Sequence, residues 1–308
     1  MIVVVCPGQG SQAPGFLTPW LDLPIFRKSI ESQEAASGVK LIEHGTISDA
    51  DTIRDTSIAQ PLIVAAGVAA LNTLLDGKSI SDSGIAGVAG HSVGEITAAV
   101  VSGIFTEETG IKFVNERGQA MAKAASLEPT SMAAVLSGEQ SDVESKLREL
   151  ELEPANYNGS GQIVAAGAVS QIAKLQESPV AGSRVIPLQV AGAFHTRFMK
   201  PAVESLRNYS TQISPNDPQI KLWSNNGGKL ISNGKEFVEL LVNQVSSPVR
   251  WDLCMSAMVD AGVTAIIELV PAGTLVGLAK RAMPGIETLA LKTPDNLAAA
   301  QELIRNHA

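Results

Sequence analysis

Cysteine and histidine are both scarce. The two cysteines, Cys6 and Cys254, lie far apart, each in an apolar setting. They read as buried free thiols. The four histidines form no cluster with them, so a structural zinc site has no ligand set and no metal is expected. Aromatic residues make up only 4% of the chain. No uninterrupted apolar run approaches the length of a membrane span. The opening Met1-Ile2-Val3-Val4-Val5-Cys6-Pro7 has no basic flank and is too short for a signal peptide, so it reads as a first buried strand and the protein is expected to be cytoplasmic. Basic charge is also in short supply. Lys and Arg number 23 against 31 Asp and Glu, a formal net charge of −8. That balance argues against non-specific nucleic-acid binding, and an acidic partner would need a local basic patch.

What is abundant is Ala, Val, Ile, Leu and Gly. The 308 residues are 45% hydrophobic, enough for one large domain or a large and a small one. Buried parallel strands and close helix–sheet packing favour such a mix, so α/β is expected. Strands are predicted at the N-terminus, at 85–89, 220–223, 265–269 and 288–291. Between them, 25–37, 60–75, 95–101, 106–121, 198–212, 236–245, 251–261, 273–281 and 297–305 read as helices. Residues 126–191 follow another rhythm, β-α-β-β-α-β, with the turn Asn158-Gly159-Ser160-Gly161 joining two central strands. This is the ferredoxin-like order. It predicts a small domain at 126–191 inserted in a larger one made of 1–125 and 192–308.

The stretch with the most chemistry is Gly90-His91-Ser92-Val93-Gly94. It has the form G-x-S-x-G, preceded by an apolar run and followed by a helix-like one, the context of a nucleophile elbow. Such a turn would present the Ser92 hydroxyl at the edge of a sheet. The N–H groups of the following helix would face an oxyanion formed there. A glycine-rich turn with a capping serine fits the motif equally well. Pro7-Gly8-Gln9-Gly10-Ser11-Gln12, another glycine-rich turn after a strand, has neither the lysine of a P-loop nor the spacing of a dinucleotide fingerprint. It could present N–H groups to an anion. Of the histidines, His195 is the candidate base, because it follows a predicted strand, where sites in α/β sheets collect. No acidic residue stands in the usual hydrolase order to orient it.

Taken in order, Pro7-Gly8-Gln9-Gly10-Ser11-Gln12, Gly90-His91-Ser92-Val93-Gly94-Glu95, Arg117, Ala193-Phe194-His195 and Ser247-Pro248-Val249-Arg250-Trp251 resemble the malonyl-CoA:acyl carrier protein transacylases of fatty-acid synthesis. The related acyltransferase domains of polyketide synthases share the pattern, and the resemblance spans nearly the whole chain. It implies an α/β-hydrolase-like large domain with a parallel sheet and a ferredoxin-like insert. It further implies Ser92 as nucleophile and His195 as base, with Gln9 and Val93 giving oxyanion N–H groups. Arg117 would bind the malonyl carboxylate, and the backbone carbonyl of Arg250 would orient His195 in place of an acid. Phe194, Gln60, Asn156 and Asn158 would line the substrate pocket. Phe194 and Val93 point to malonyl over methylmalonyl. The substrates would be a coenzyme A thioester and an acidic acyl carrier protein, with no cofactor, no membrane and a monomeric enzyme. Arg184, Arg197, Lys200, Lys280 and Arg281 are the candidate basic docking residues. The same chemistry in polyketide or malonate decarboxylase systems, and a serine thioesterase or esterase, are the alternatives.

Overall fold

A computed structural model describes all 308 residues. Eleven strands form two sheets: β1 (Ile2–Cys6), β2 (Ile85–Gly90), β3 (Thr130–Leu136), β4 (Glu153–Gly159), β5 (Gln162–Ala168), β6 (Arg184–Pro187), β7 (Lys221–Trp223), β8 (Leu230–Ile231), β9 (Val249–Arg250), β10 (Ala265–Glu268) and β11 (Glu287–Ala290). The first sheet runs β11-β10-β1-β2-β7-β8 and is parallel except for β8, which pairs antiparallel with β7. β1 lies inside it, with all five residues buried. Its alternation serves both faces. Ile2, Val4 and Cys6 join the main core of 60 residues, and Val3 and Val5 join a second of 15 on the other side. A strand covered on both faces can be apolar throughout, as this one is.

The second sheet runs β6-β3-β5-β4-β9. The segment from β3 to β6 follows the expected β-α-β-β-α-β order, with helices Gln140–Glu149 and Val169–Glu177 between its strands. Its strands pair antiparallel. One face closes over a core of nine that includes Val135, Leu147, Ile163 and Leu175. From the other face Met132, Val164 and Ala166 join the main core. β9 comes from far downstream and pairs parallel with β4 through Asn156↔Val249 and Tyr157↔Arg250. It stitches the two sheets' segments together and was expected only as a connection between helices.

The longest helix, Thr56–Leu75, begins ahead of the predicted start at Gln60-Pro61. Asp55 caps it, its carboxylate accepting from the Ser57 N–H at 2.8 Å, and Pro61 lies inside it. By length and mean hydropathy alone this helix could cross a membrane, although Gln60, Asn72 and Thr73 interrupt its apolar run. Its mean hydropathy is 1.8, and 83% of that window is buried within the protein. A helix apolar all round is what a central position in a large core requires.

Candidate active site

β2 ends at Gly90 and the helix Gly94–Val101 starts four residues later. Between them Ser92 takes φ of +53°, a conformation that costs a side-chain-bearing residue energy and is held only by its surroundings. The two flanking glycines are demanded by close approach. A Cβ on Gly90 would sit 2.1 Å from the Gly94 carbonyl carbon, and one on Gly94 would sit 2.1 Å from the Cys6 carbonyl oxygen. The turn therefore packs directly on the end of β1, where the His91 N–H donates to Cys6 O at 2.9 Å.

His195 also has positive φ, +62°, and is 4% exposed. Its Nε2 lies 2.7 Å from Ser92 Oγ, and its Nδ1 lies 2.8 Å from the Gln244 carbonyl oxygen. A carbonyl can only accept, so Nδ1 carries the proton and Nε2 is left to accept from the serine hydroxyl. The arrangement is that of a base oriented by a backbone acceptor. Burial, and next the nearby Arg117 charge, lower the His195 pKa to about 3, against the raising effect of the Gln244 carbonyl. The imidazole is thus neutral over the working pH range.

The orienting carbonyl belongs to Gln244, not to Arg250 as expected. Gln244 is the last residue of the helix Gly234–Gln244, and the final carbonyls of a helix have no partner within it. Arg250 instead lies in β9. Its N–H donates to Asn225 O at 3.1 Å, and its guanidinium pairs with Asp252 at 2.7 Å and stacks over Tyr157 at 4.5 Å.

Arg117 projects from the helix Glu107–Ala125 and is 1% exposed. Its two terminal nitrogens donate to Gln60 Oε1 at 2.7 Å and Gln244 Oε1 at 2.8 Å, while its Nε–H has no partner. Burial lowers its pKa to about 10, with Glu95 acting to raise it, so it stays cationic. A planar fork with a spare donor is suited to a carboxylate.

A cavity of about 280 Å³ opens over Ser92 and His195, and Gln9, Gln60, Asn156 and Phe194 are among the residues around it. Neither the Gln9 nor the Val93 backbone N–H is engaged by a backbone carbonyl elsewhere in the protein. Asn158 also borders the cavity, and its Oδ1 lies 2.9 Å from His91 Nε2. That contact and the edge of Trp251, with ring centroids 5.7 Å apart, fix His91 as a packed neighbour of the site.

Three residues were missed. Asn225, buried, accepts the Ser92 N–H at 2.8 Å and donates to Gly90 O at 2.7 Å. Glu95, also buried, accepts from the Asn225 N–H at 2.7 Å and from the Gln244 side chain. Gln244 itself joins His195, Arg117 and Glu95. Only Glu95 left a trace in the sequence, as the acid directly after G-x-S-x-G; Asn225 and Gln244 lie in ordinary turn and helix-end contexts.

Comparison with known proteins agrees with this geometry. Residues 3–299 match the family described as acyl transferase domain. The malonyl CoA-acyl carrier protein transacylase of Mycobacterium tuberculosis (strain H37Rv) is 44% identical over 302 residues, covering 96% of this chain and 98% of the relative. The protein of that name from Escherichia coli K12 is 30% identical, covering 97% and 98%. The crystal structure of MCAT from M. tuberculosis superposes with a TM-score of 0.92 at 43% identity, covering 98% of this chain and 99% of that one. A type II polyketide synthase acyl carrier protein in complex with its malonyl-transacylase gives a TM-score of 0.92 at 27% identity, covering 98% and 99%. Fold, serine–histidine pair and family match together define an acyl transferase domain. Within that class, the chain belongs to the malonyl CoA-acyl carrier protein transacylase family.

Proposed function

We infer that the chain moves a malonyl group from malonyl-CoA to the phosphopantetheine thiol of an acyl carrier protein, through an ester on Ser92, to supply fatty-acid elongation. The observation that carries this reading is a Ser92–His195 pair sharing one buried network with a carboxylate-binding candidate, Arg117. His195 Nε2 takes the hydroxyl proton as Ser92 Oγ attacks the thioester carbonyl. The Gln9 and Val93 N–H groups receive the oxyanion, where one such donor is worth roughly a hundred- to thousand-fold in rate. The carbon–sulfur bond then breaks, and the proton passes from His195 to the departing thiolate. The second half-reaction runs the same steps backwards, with the carrier thiol attacking the ester. Arg117 holds the malonyl carboxylate throughout, Gln60 giving up its hold on the guanidinium or sharing it. The thioester and carrier are substrates, and the reading needs no resident cofactor.

In fold terms, the sheet order β6-β3-β5-β4 with its two helices supports a ferredoxin-like insert. The parallel sheet with Ser92 at a strand-to-helix turn supports an α/β-hydrolase-like large domain. On that division the insert is 126–191 and the large domain is 1–125 with 192–308, with β9 crossing between them. We read the enzyme as a cytoplasmic monomer. Of the basic docking candidates, Arg197 is already paired with Glu153, while Lys200 is exposed.

A second reading, loading of a polyketide carrier by the same chemistry, is favoured by the likeness to the transacylase bound to a type II polyketide synthase carrier. A hydrolytic role is disfavoured because a thioesterase has no use for an arginine built to keep a carboxylate. The test is isotope exchange without carrier. Labelled coenzyme A should enter the malonyl-CoA pool at a rate comparable to turnover, since the two half-reactions share one site. Hydrolysis to free malonate without exchange would contradict the reading.

A further inference from the structure

We propose that Glu95 is a positioning residue for the transfer, setting through Gln244 the orientation of Arg117 and hence the preference for an acyl group that carries a carboxylate. The inference rests on the transfer reading above and adds a residue to it. Glu95 is 1% exposed in the first turn of the helix that follows Ser92, where the helix dipole favours a negative charge. Each of its oxygens accepts one hydrogen bond: Oε1 from the Asn225 N–H at 2.7 Å, and Oε2 from Gln244 Nε2.

The importance of Glu95 lies in polarity. Burial pushes the Glu95 pKa up to about 7, against the lowering effect of its hydrogen bonds and of Arg117, and it is the ionised form, which only accepts, that obliges Gln244 to turn its NH₂ inward. There that group also donates to Ser92 O at 3.1 Å and Asn225 Oδ1 at 3.2 Å. The Gln244 Oε1 is thereby turned outward, where it accepts from Arg117 at 2.8 Å. An amide in place of Glu95 breaks this order. Its oxygen could still serve the Asn225 N–H, which as a backbone group cannot turn over. Its NH₂ would then face the NH₂ of Gln244. Turning Gln244 over to relieve that clash sets two donors, its own NH₂ and the Arg117 fork, against each other. The Gln244 backbone carbonyl on His195 is untouched by such a flip. The base stays in place while the carboxylate-binding group loses its fixed position.

The experiment compares loading of Ser92 from malonyl-CoA with loading from acetyl-CoA, which lacks the carboxylate. In Glu95→Gln the ratio of kcat/KM for malonyl over acetyl should fall at least about tenfold, the size expected for a lost hydrogen bond to a charged group. The loss should appear mainly as a raised malonyl-CoA KM. In an Arg117→Ala background the same change should leave the ratio where Arg117→Ala alone puts it. Equal losses on both substrates, an unchanged ratio, or a further fall without Arg117 would overturn the proposal. If Glu95→Gln does not fold, Gln244→Met asks the same question, because it keeps the carbonyl on His195 and removes the side-chain link. The ratio should again fall, and an unchanged ratio there overturns the proposal. Wild-type protein run alongside separates the two claims: if it takes up no malonyl group, the transfer reading itself has failed.

Discussion

Phe194 stands immediately before the base, 6% exposed, packed in the main core and bordering the cavity. On the transfer reading, its bulk there leaves little room for an α-methyl substituent on the acyl group. Phe194→Leu should therefore raise kcat/KM for methylmalonyl-CoA relative to malonyl-CoA, by the roughly ten- to hundredfold that one methyl group is worth in an apolar pocket. Competition between the two thioesters measures it; an unchanged ratio would remove Phe194 from substrate selection. At this scale the sequence revealed what the motifs fixed and little beyond. Ser92 and His195 could be found because a sharp strand-to-helix turn and a histidine after a strand leave local signatures. Gln244 could not, since the group that meets His195 is a main-chain carbonyl freed by the end of a helix. Six residues downstream Arg250 has the more distinctive surroundings, but pairing with β4 and bonding to Asn225 occupy its backbone. A backbone group's availability depends on where a helix stops, and one residue's identity does not carry that information.

Among the elements, the helix Gly94–Val101 bears most directly on the chemistry, because its start fixes the elbow against β1. Gly94→Ala would press a methyl group onto the Cys6 carbonyl and Pro7 O, backbone atoms that have little room to yield. It should destabilise the protein by about 1–3 kcal/mol or more, as overpacking does, and slow Ser92 loading. The contrast is Gly277, inside the helix Thr274–Ala282, where an added Cβ meets nothing within 4 Å. Gly277→Ala should stabilise by roughly 0.5–1 kcal/mol on helix propensity alone. Urea melts of both variants test the pair. A tolerated Gly94→Ala would mean the elbow does not need its tight seat. Long periodic helices and apolar strands were legible for the same reason that they are stable, many residues voting for one conformation. The two-residue strands β8 and β9 were not, because so short a run has no period and is made a strand by its partner.

For the whole molecule, the second sheet covers the site end of the first. Met132 and Val164 from its lower face join Phe194 and the Ser92–His195 pair around one cavity of about 280 Å³. A chamber of that size, lined by apolar side chains such as Met121, Met132 and Leu188 together with polar ones such as Gln60 and Asn156, positions an acyl ester and limits water around it. The β-α-β-β-α-β order from β3 to β6 was readable from its turns, yet β9, which completes that sheet, is separated from β4 by some ninety residues of intervening chain. Such non-local pairing leaves no mark on either segment.

The transfer reading requires Ser92 to store a malonyl group as an ester. Intact-mass analysis after mixing with malonyl-CoA detects that ester. One added malonyl group per chain is expected, on the peptide containing Ser92, absent from Ser92→Ala, and discharged on adding phosphopantetheinylated carrier protein. Absence of the adduct, its persistence in Ser92→Ala, or release as free malonate just as fast without carrier would contradict that reading.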